Sequence, residues 1–258
     1  MKIIFFGTSA GRPTNNRSMS AIGLQSELDK WSLFDCGDGT SFQITKSNWN
    51  LSKLDSIFIT HLHADHFLGI LSVIFIKNMN LEENCNLTVY APKGLKEFVQ
   101  KSLEISKKVI RRYRLKIIEI EDGMYITQRN MNIEVVSMLH SSTPCFGFYI
   151  ESIKRKIIIA GDNENPEIFK ERLNDLDLLI HEATFLEEDY RKDRKKTLHT
   201  TAKLLGKVAN KYNVKKVIAT HINKEYNTLD KITELYDEIA LNYKSKLYIA
   251  NDLNEFEV

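Results

Sequence analysis

The 258-residue chain is poor in the residues that staple or interrupt a fold: three cysteines, four prolines and 11 glycines. Cys36, Cys85 and Cys145 are odd in number, far apart and never in a Cys-x-x-Cys pair. That excludes a disulfide framework and a thiolate zinc site, and leaves three reduced, mostly buried thiols. Few prolines and glycines leave little flexible linker. No apolar run reaches bilayer length; the longest after the amino terminus is Gly69–Ile76. The opening run Ile3–Phe6 is too short for a signal peptide and no small-residue cleavage site follows it. The chain therefore reads as cytoplasmic, with no membrane partner. An excess of one charge is also missing: 36 Lys+Arg against 34 Asp+Glu give a formal +2, which advertises no polyanionic partner by itself. Histidine is scarce too, at seven residues. What remains, 43% hydrophobic and 27% charged, is ordinary folded-protein composition, and the length suits a single domain over residues 1–258.

Short β-branched or aromatic runs recur and predict strands at Ile3–Phe6, Trp31–Phe34, Ser56–Thr60, Leu87–Tyr90, Leu115–Ile120, Ile133–Val136, Lys156–Ala160, Leu178–Ile180, Lys216–Thr220 and Leu247–Ile249. Helical spacing of apolar residues appears in Gly94–Ser106, Thr200–Tyr212 and Leu229–Leu241, and a helix is expected to open near Asp65. The first half is strand-rich and the second alternates strand with helix. This pattern suits an α/β (α+β) fold, an αββα sandwich of two mixed sheets with helices outside.

The strand Ser56–Thr60 runs into His61-Leu62-His63-Ala64-Asp65-His66. Side chains on a strand repeat every two residues, so His-x-His at its end points both imidazoles to one side. Four nitrogen and carboxylate donors within six residues, with no thiolate, suit Zn²⁺, and Mn²⁺ or Fe²⁺ less firmly. His140, His181, His199 and His221 each fall at or near the end of a predicted element. Asp162 follows the strand Lys156–Ala160 and a glycine that permits a sharp turn. Singly, each is more often explained by a structural hydrogen bond. Together they match a two-metal arrangement with one bridging carboxylate.

At this point the chain resembles a known family. HLHADH is the HxHxDH signature of the metallo-β-lactamase fold. The segments Phe6-Gly7-Thr8-Ser9-Ala10-Gly11-Arg12-Pro13-Thr14, Asn16-Arg17-Ser18, Leu33-Phe34-Asp35-Cys36-Gly37-Asp38-Gly39-Thr40, His181-Glu182-Ala183-Thr184-Phe185 and Leu198-His199-Thr200-Thr201 look like ribonuclease Z. The resemblance runs to about Asn223, nearly the whole chain. It implies a dizinc endonuclease that trims the 3′ side of precursor tRNA, and a homodimer. Carried over by motif, His61, His63 and His140 would bind one zinc, Asp65, His66 and His221 the second, and Asp162 would bridge. Asp65 would also orient or deprotonate the attacking water. His199 would contact the scissile phosphate and protonate the leaving alkoxide, with His181 and Glu182 supporting it. The oxygen-reducing di-iron relatives place Glu where His63 stands, so hydrolysis is favoured.

The chain departs from the family in one large respect. The long arm that grips the tRNA elbow lies between the equivalents of His140 and Asp162, and here only residues 141–161 separate them, enough for a tight hairpin. The Gly usual after the motif's second His is Ala64, and the family's Gly-Leu-Pro-Gly stretch reads Leu68-Gly69-Ile70-Leu71. The chain thus reads as a short form lacking the arm, or as a dizinc hydrolase of a smaller phosphodiester such as a cyclic nucleotide; a binding module on the same scaffold is a third alternative. Two basic segments bear on this: Lys107, Lys108, Arg111, Arg112, Arg114 and Lys116, and Arg191, Lys192, Arg194, Lys195 and Lys196 just ahead of His199. The latter suits a phosphate-tracking surface. Neutralising Arg191, Arg194 and Lys196 together should weaken activity on RNA and flatten its salt dependence, measured as kcat/KM across a salt series.

Overall fold

Apolar residues occupy both faces of the central strands, so each sheet must be covered on both sides. In the computed structural model, which describes residues 1–26, 29–79, 85–107, 113–192 and 198–258, two seven-stranded mixed sheets pack face to face with helices outside. The first sheet takes β1 (Lys2–Gly7), β2 (Ala21–Gln25), β3 (Trp31–Phe34), β4 (Leu54–Phe58), β5 (Cys85–Ala91) and β6 (Tyr113–Glu119) in chain order, with the last strand, β14 (Glu255–Glu257), beside β1. The second takes β7 (Tyr125–Gln128), β8 (Met131–Ser137), β9 (Phe146–Ser152), β10 (Lys156–Ile159), β11 (Leu178–Glu182), β12 (Lys216–Thr220) and β13 (Lys246–Ile249). Each sheet is antiparallel in one half and parallel in the other.

The core lies in three layers. Between the sheets, Ile3, Phe5, Leu24, Phe34 and Phe58 meet Ile133, Phe148, Ile150, Ile157 and Ile180. Phe58 stacks on Phe34 at 4.9 Å and takes the edge of Phe148 from the opposite sheet at 5.3 Å. The alternate residues Ile4, Phe6, Leu33, Ile57 and Ile59 face outward, under α1 (Thr40–Lys46), α3 (Ile70–Met79) and α4 (Leu95–Ile105). On the far side, α7 (Ala202–Lys211) and α8 (Leu229–Asn242) cover the second sheet through Leu205, Val208, Leu235 and Ile239. Short helices α2 (Ala64–Phe67), α5 (Lys170–Leu173) and α6 (Glu187–Lys192) lie in connections. Cys36 and Cys145 are free and buried, and burial pushes both thiols up; the Cys85 side chain is outside the described part. No helix among the described residues is long and apolar enough to cross a membrane.

Two local differences from the sequence expectation bear on how the donors are held. The strand predicted to run to Thr60 ends at Phe58. Ile59 still donates to Tyr90, but the Thr60 N–H donates to the Asp35 carboxylate at 2.8 Å instead of to a neighbouring strand. Next, the segment expected as one helix opening near Asp65 splits into α2 and α3 around Gly69. Gly69 is required there: a Cβ would stand 2.1 Å from the Gly37 carbonyl oxygen. The close approach lets Gly69 N–H donate to the Cys36 carbonyl and Cys36 N–H to that of His66. Gly69→Ala must therefore displace backbone. It should cost about 1–3 kcal/mol in urea denaturation and loosen the turn that carries His66.

Candidate metal centre

Every donor of the sequence constellation comes from the same end of the sandwich. His61, His63, Asp65 and His66 follow β4, His140 follows β8, Asp162 follows β10, and His221 follows β12. Two groups form. His61, His63, His140 and Asp162 bring ligand atoms within 4.8 Å of one another, as do Asp65, His66 and His221. Asp162 faces both groups with different oxygens. Its Oδ1 lies 3.4 Å from His66 Nε2 and from His221 Nε2, while Oδ2 lies 3.8 Å from His61 Nε2 and 3.7 Å from His140 Nε2. Its carboxylate sits where one cation on either side would share it.

The outer ring nitrogens fix which lone pairs point inward. His140 Nδ1–H donates to the Leu198 carbonyl at 2.9 Å, and His66 Nδ1–H to Asp35 Oδ2 at 2.7 Å. The Thr60 hydroxyl gives its proton to Asp35, so at 3.0 Å it must accept from His61 Nδ1. By the same logic the Thr184 hydroxyl donates to Glu182 and accepts from His221 Nδ1 at 3.0 Å. Four imidazoles thus turn Nε2 to the interior, and His63 turns Nδ1, 3.2 Å from His140 Nε2.

Such a set suits cations. His61 Nε2 is buried and has no hydrogen-bond partner among the described residues. His66 Nε2 and His221 Nε2 oppose each other at 3.3 Å, where two lone pairs repel unless a proton or a metal intervenes. Burial and the adjacent His66 push His61 down to about 2, so it is a neutral donor. Burial opposes charge on His66, but Asp162, Asp35 and Asp65 outweigh it and hold that ring well above its usual pKa: three carboxylates there attract a positive charge. Burial would raise the Asp65 carboxyl, yet His66 and the hydrogen bonds of His221 and His66 keep it far below the carboxylate range. Asp65 Oδ2 also accepts the Gly11 N–H at 2.7 Å.

His199 stands at the rim. Its Nδ1–H donates to Glu182 Oε2 at 2.9 Å and lies 3.9 Å from Asp162. Burial disfavours its charge, but Glu182 and that hydrogen bond raise its pKa to about 9. Asp162, His199 and His221 also form a third group of converging ligand atoms. His181 turns away from the centre: its Nδ1–H donates to the Glu182 carbonyl at 2.9 Å, and its Nε2 lies 3.3 Å from Asn163 Nδ2. A cleft of about 330 Å³ beside His199 is lined by Arg191, Lys203 and Lys207, together with Glu164 and Glu187. Arg191 is exposed and pairs with Glu187 at 2.9 Å; Arg194, Lys195 and Lys196 lie outside the described residues. So do Lys108, Arg111 and Arg112 and the Arg114 side chain of the other basic segment, whose Lys107 and Lys116 are exposed.

Sequence reasoning gave no role to Asp35, Thr60, Thr184 or the Gly11 N–H. Asp35 lay within a quoted motif, and its left-handed backbone (φ 59°) is what brings its carboxylate under His66. Asp35→Asn should keep the fold yet weaken metal retention by about 10–100-fold, because it removes the charge that orients His66. Competition with a chelator, read by metal analysis, checks this.

Comparison with known proteins agrees with this arrangement. The sequence model of the β-lactamase superfamily domain matches residues 30–222, which include all seven donors. The chain is 30% identical to ribonuclease Z of Staphylococcus epidermidis over 310 aligned positions, covering all of both chains, and 31% identical to that of Bacillus thuringiensis over 311, covering 100% of this chain and 99% of the other. The first alignment has 310 positions against 258 residues here, so 52 positions of that relative have no counterpart. The crystal structure of human tRNase Z, short form, matches with a TM-score of 0.81 at 25% identity, over 100% of this chain and 99% of that one. A metallo-β-lactamase fold protein from Bacillus subtilis matches at 0.82 and 21% identity with the same coverage, a likeness of fold alone.

Proposed function

The chain belongs to the ribonuclease Z family of the β-lactamase superfamily and is a metal-dependent hydrolase; from that premise we propose that it is a zinc-dependent endonuclease cutting a phosphodiester at the 3′ side of precursor tRNA. The observation that carries the reading is the buried Asp162 carboxylate, one oxygen turned to each ligand group, with His199 and Glu182 at its edge. His61, His63 and His140 would hold one cation, Asp65, His66 and His221 the other, and Asp162 both. Two such cations supply charge neutralisation for the phosphate oxygens and bring the pKa of bound water towards about 7.

The protein's own groups do the remainder. Asp65, its Oδ2 fixed by the Gly11 N–H, orients the attacking water and accepts its proton. His199 is kept protonated by Glu182 and gives its proton to the departing ribose oxygen, a poor leaving group otherwise. Glu182 also holds Thr184, and through it His221, so one carboxylate positions both the acid and a ligand. His181 supports the backbone of Glu182 from behind. Arg191, Arg194 and Lys196 steer the polyanion, with Lys203 and Lys207 in the cleft beside His199. A homodimer, as the family resemblance implies, completes the proposal, with residues 1–258 as a single cytoplasmic domain.

Residues 141–161 hold only a loop, β9 and β10, joined by a tight turn, so the long arm is missing. The same centre acting on a small phosphodiester is therefore the competing reading. Incubating metal-loaded protein with precursor tRNA and with bis(p-nitrophenyl) phosphate separates the two: turnover of the ester without a defined cut near the discriminator nucleotide overturns the tRNA reading. Asp65→Ala should abolish hydrolysis and weaken the second metal. His199→Ala should slow turnover by about 10²–10⁴-fold with metal content unchanged, and loss of metal in that variant would make His199 a ligand instead.

A further inference from the structure

At the end of the sandwich away from the metal centre, two residues that carry buried polar atoms without partners line one cavity. The Arg129 side chain is 8% exposed, and its Nη2 donates to the Ser32 and Ser56 hydroxyls and lies 3.4 Å from Asp55. Its Nε and Nη1 have no acceptor among the described residues. The Ser26 hydroxyl, in a residue 7% exposed, likewise has no partner among the described residues. Both residues line a cavity of about 160 Å³, with Asn130, Ser152 and Arg155. A buried donor left unbonded is costly, and two sharing one cavity define a place where an acceptor belongs.

The backbone supports this. Arg129 and Asn130 form the two-residue turn between β7 and β8, with Gln128 paired to Met131 and φ of 47° and 60°. Both central positions of such a turn are left-handed and favour Asn-Gly, so a long side chain at the first is locally disfavoured. Strain of this kind marks positions retained for something other than local stability. Arg155 adds a second guanidinium to the lining of the cavity.

We propose that this cavity is a binding site for a phosphate-type oxyanion, with Arg129 and Ser26 as its donors. The group is tetrahedral and rich in acceptors, and it matches a guanidinium with three free N–H bonds beside a free hydroxyl. The ligand is inorganic phosphate or a phosphate of a nucleic-acid backbone, both of which offer this chemistry. The site is not the reaction centre. Seven-residue strands β8 and β9 separate it from His140 and Thr60, roughly 20 Å at about 3.3 Å per residue.

Thermal melting of the metal-loaded protein tests it. Inorganic phosphate at ten times its Kd should raise the midpoint of the wild type by roughly 3–5 °C more than that of Ser26→Ala and Arg129→Gln, with chloride at matched ionic strength as the control. Phosphate at the metal centre would raise all three alike, so only the difference counts. Arg129→Lys, which keeps the charge and loses the planar fork, serves if Arg129→Gln does not fold. Turnover of bis(p-nitrophenyl) phosphate should be the same in every variant. A short oligouridylate giving the same Arg129-dependent shift identifies the backbone of RNA as the source; a response to phosphate alone identifies the free ion. Equal responses of wild type and variants to both ligands overturn the proposal.

Discussion

The structure depends on a carboxylate that could not stand where it does by itself. Asp162 is 4% exposed, and an isolated ionised carboxyl in such a place is disfavoured by several kcal/mol or more. Burial would raise its pKa, but His221 and His66 hold it well below the usual carboxylate range. Those imidazoles come from the first sheet and the second, so the charge is satisfied only when both sheets are docked. Gly161 makes the approach possible, since a Cβ there would stand 2.5 Å from the Phe146 carbonyl oxygen and 2.9 Å from Thr60. Sandwich assembly and site assembly are thus one event, and the chemistry is placed where the two sheets' strands end.

Around that carboxylate, rigidity is built outward. Four of the five inward-facing imidazoles, all but His63, have the second nitrogen tied to something the fold fixes: Asp35, Thr60, Thr184 or the Leu198 carbonyl. Two of the residues involved, Asp35 and His221, have left-handed backbone, at φ 59° and 53°. Non-glycine residues hold such angles at a local cost that surrounding contacts must outweigh. The contacts are visible: Thr60 clamps Asp35 through backbone and side chain, and Ile222 N–H, next to His221, donates to the Thr8 carbonyl. Thr8 begins the loop that reaches Gly11 and hence Asp65. Arg17 ties this loop to Ala250 and Asn251, so the C-terminal segment also steadies the proposed proton acceptor.

How much of the molecule was legible in the sequence is a matter of range. HLHADH is six contiguous residues, so its donors could be read directly, and resemblance added the distant ones. The ten predicted strands all lie on real ones. β2, β7, β9 and β14 did not stand out, for local reasons. β2 holds Gly23, which reads as a breaker, although its missing Cβ is what admits Ile4, Phe6 and Trp49. β7 is four residues with an exposed Tyr125, and β14 is three. Tautomers and supporting hydrogen bonds were illegible in principle, because Asp35 and His66, or Thr184 and His221, meet only after the sheets pack.

Net charge is the property on which sequence and structure differ most in meaning. A formal +2 conceals a sandwich whose two ends have opposite requirements. At one end three carboxylates surround His66 and call for cations; at the other a buried guanidinium with unpartnered N–H bonds calls for an anion. An occupant at either end binds the folded chain and not the unfolded one, so each contributes to stability by mass action. Strands β8 and β9 run from one end to the other, but a packed strand with a single arrangement transmits no switch. Coupling between two sites requires an element with two states. An anion at Arg129 would therefore add to the stability of the folded sandwich and leave turnover to the groups that touch the substrate.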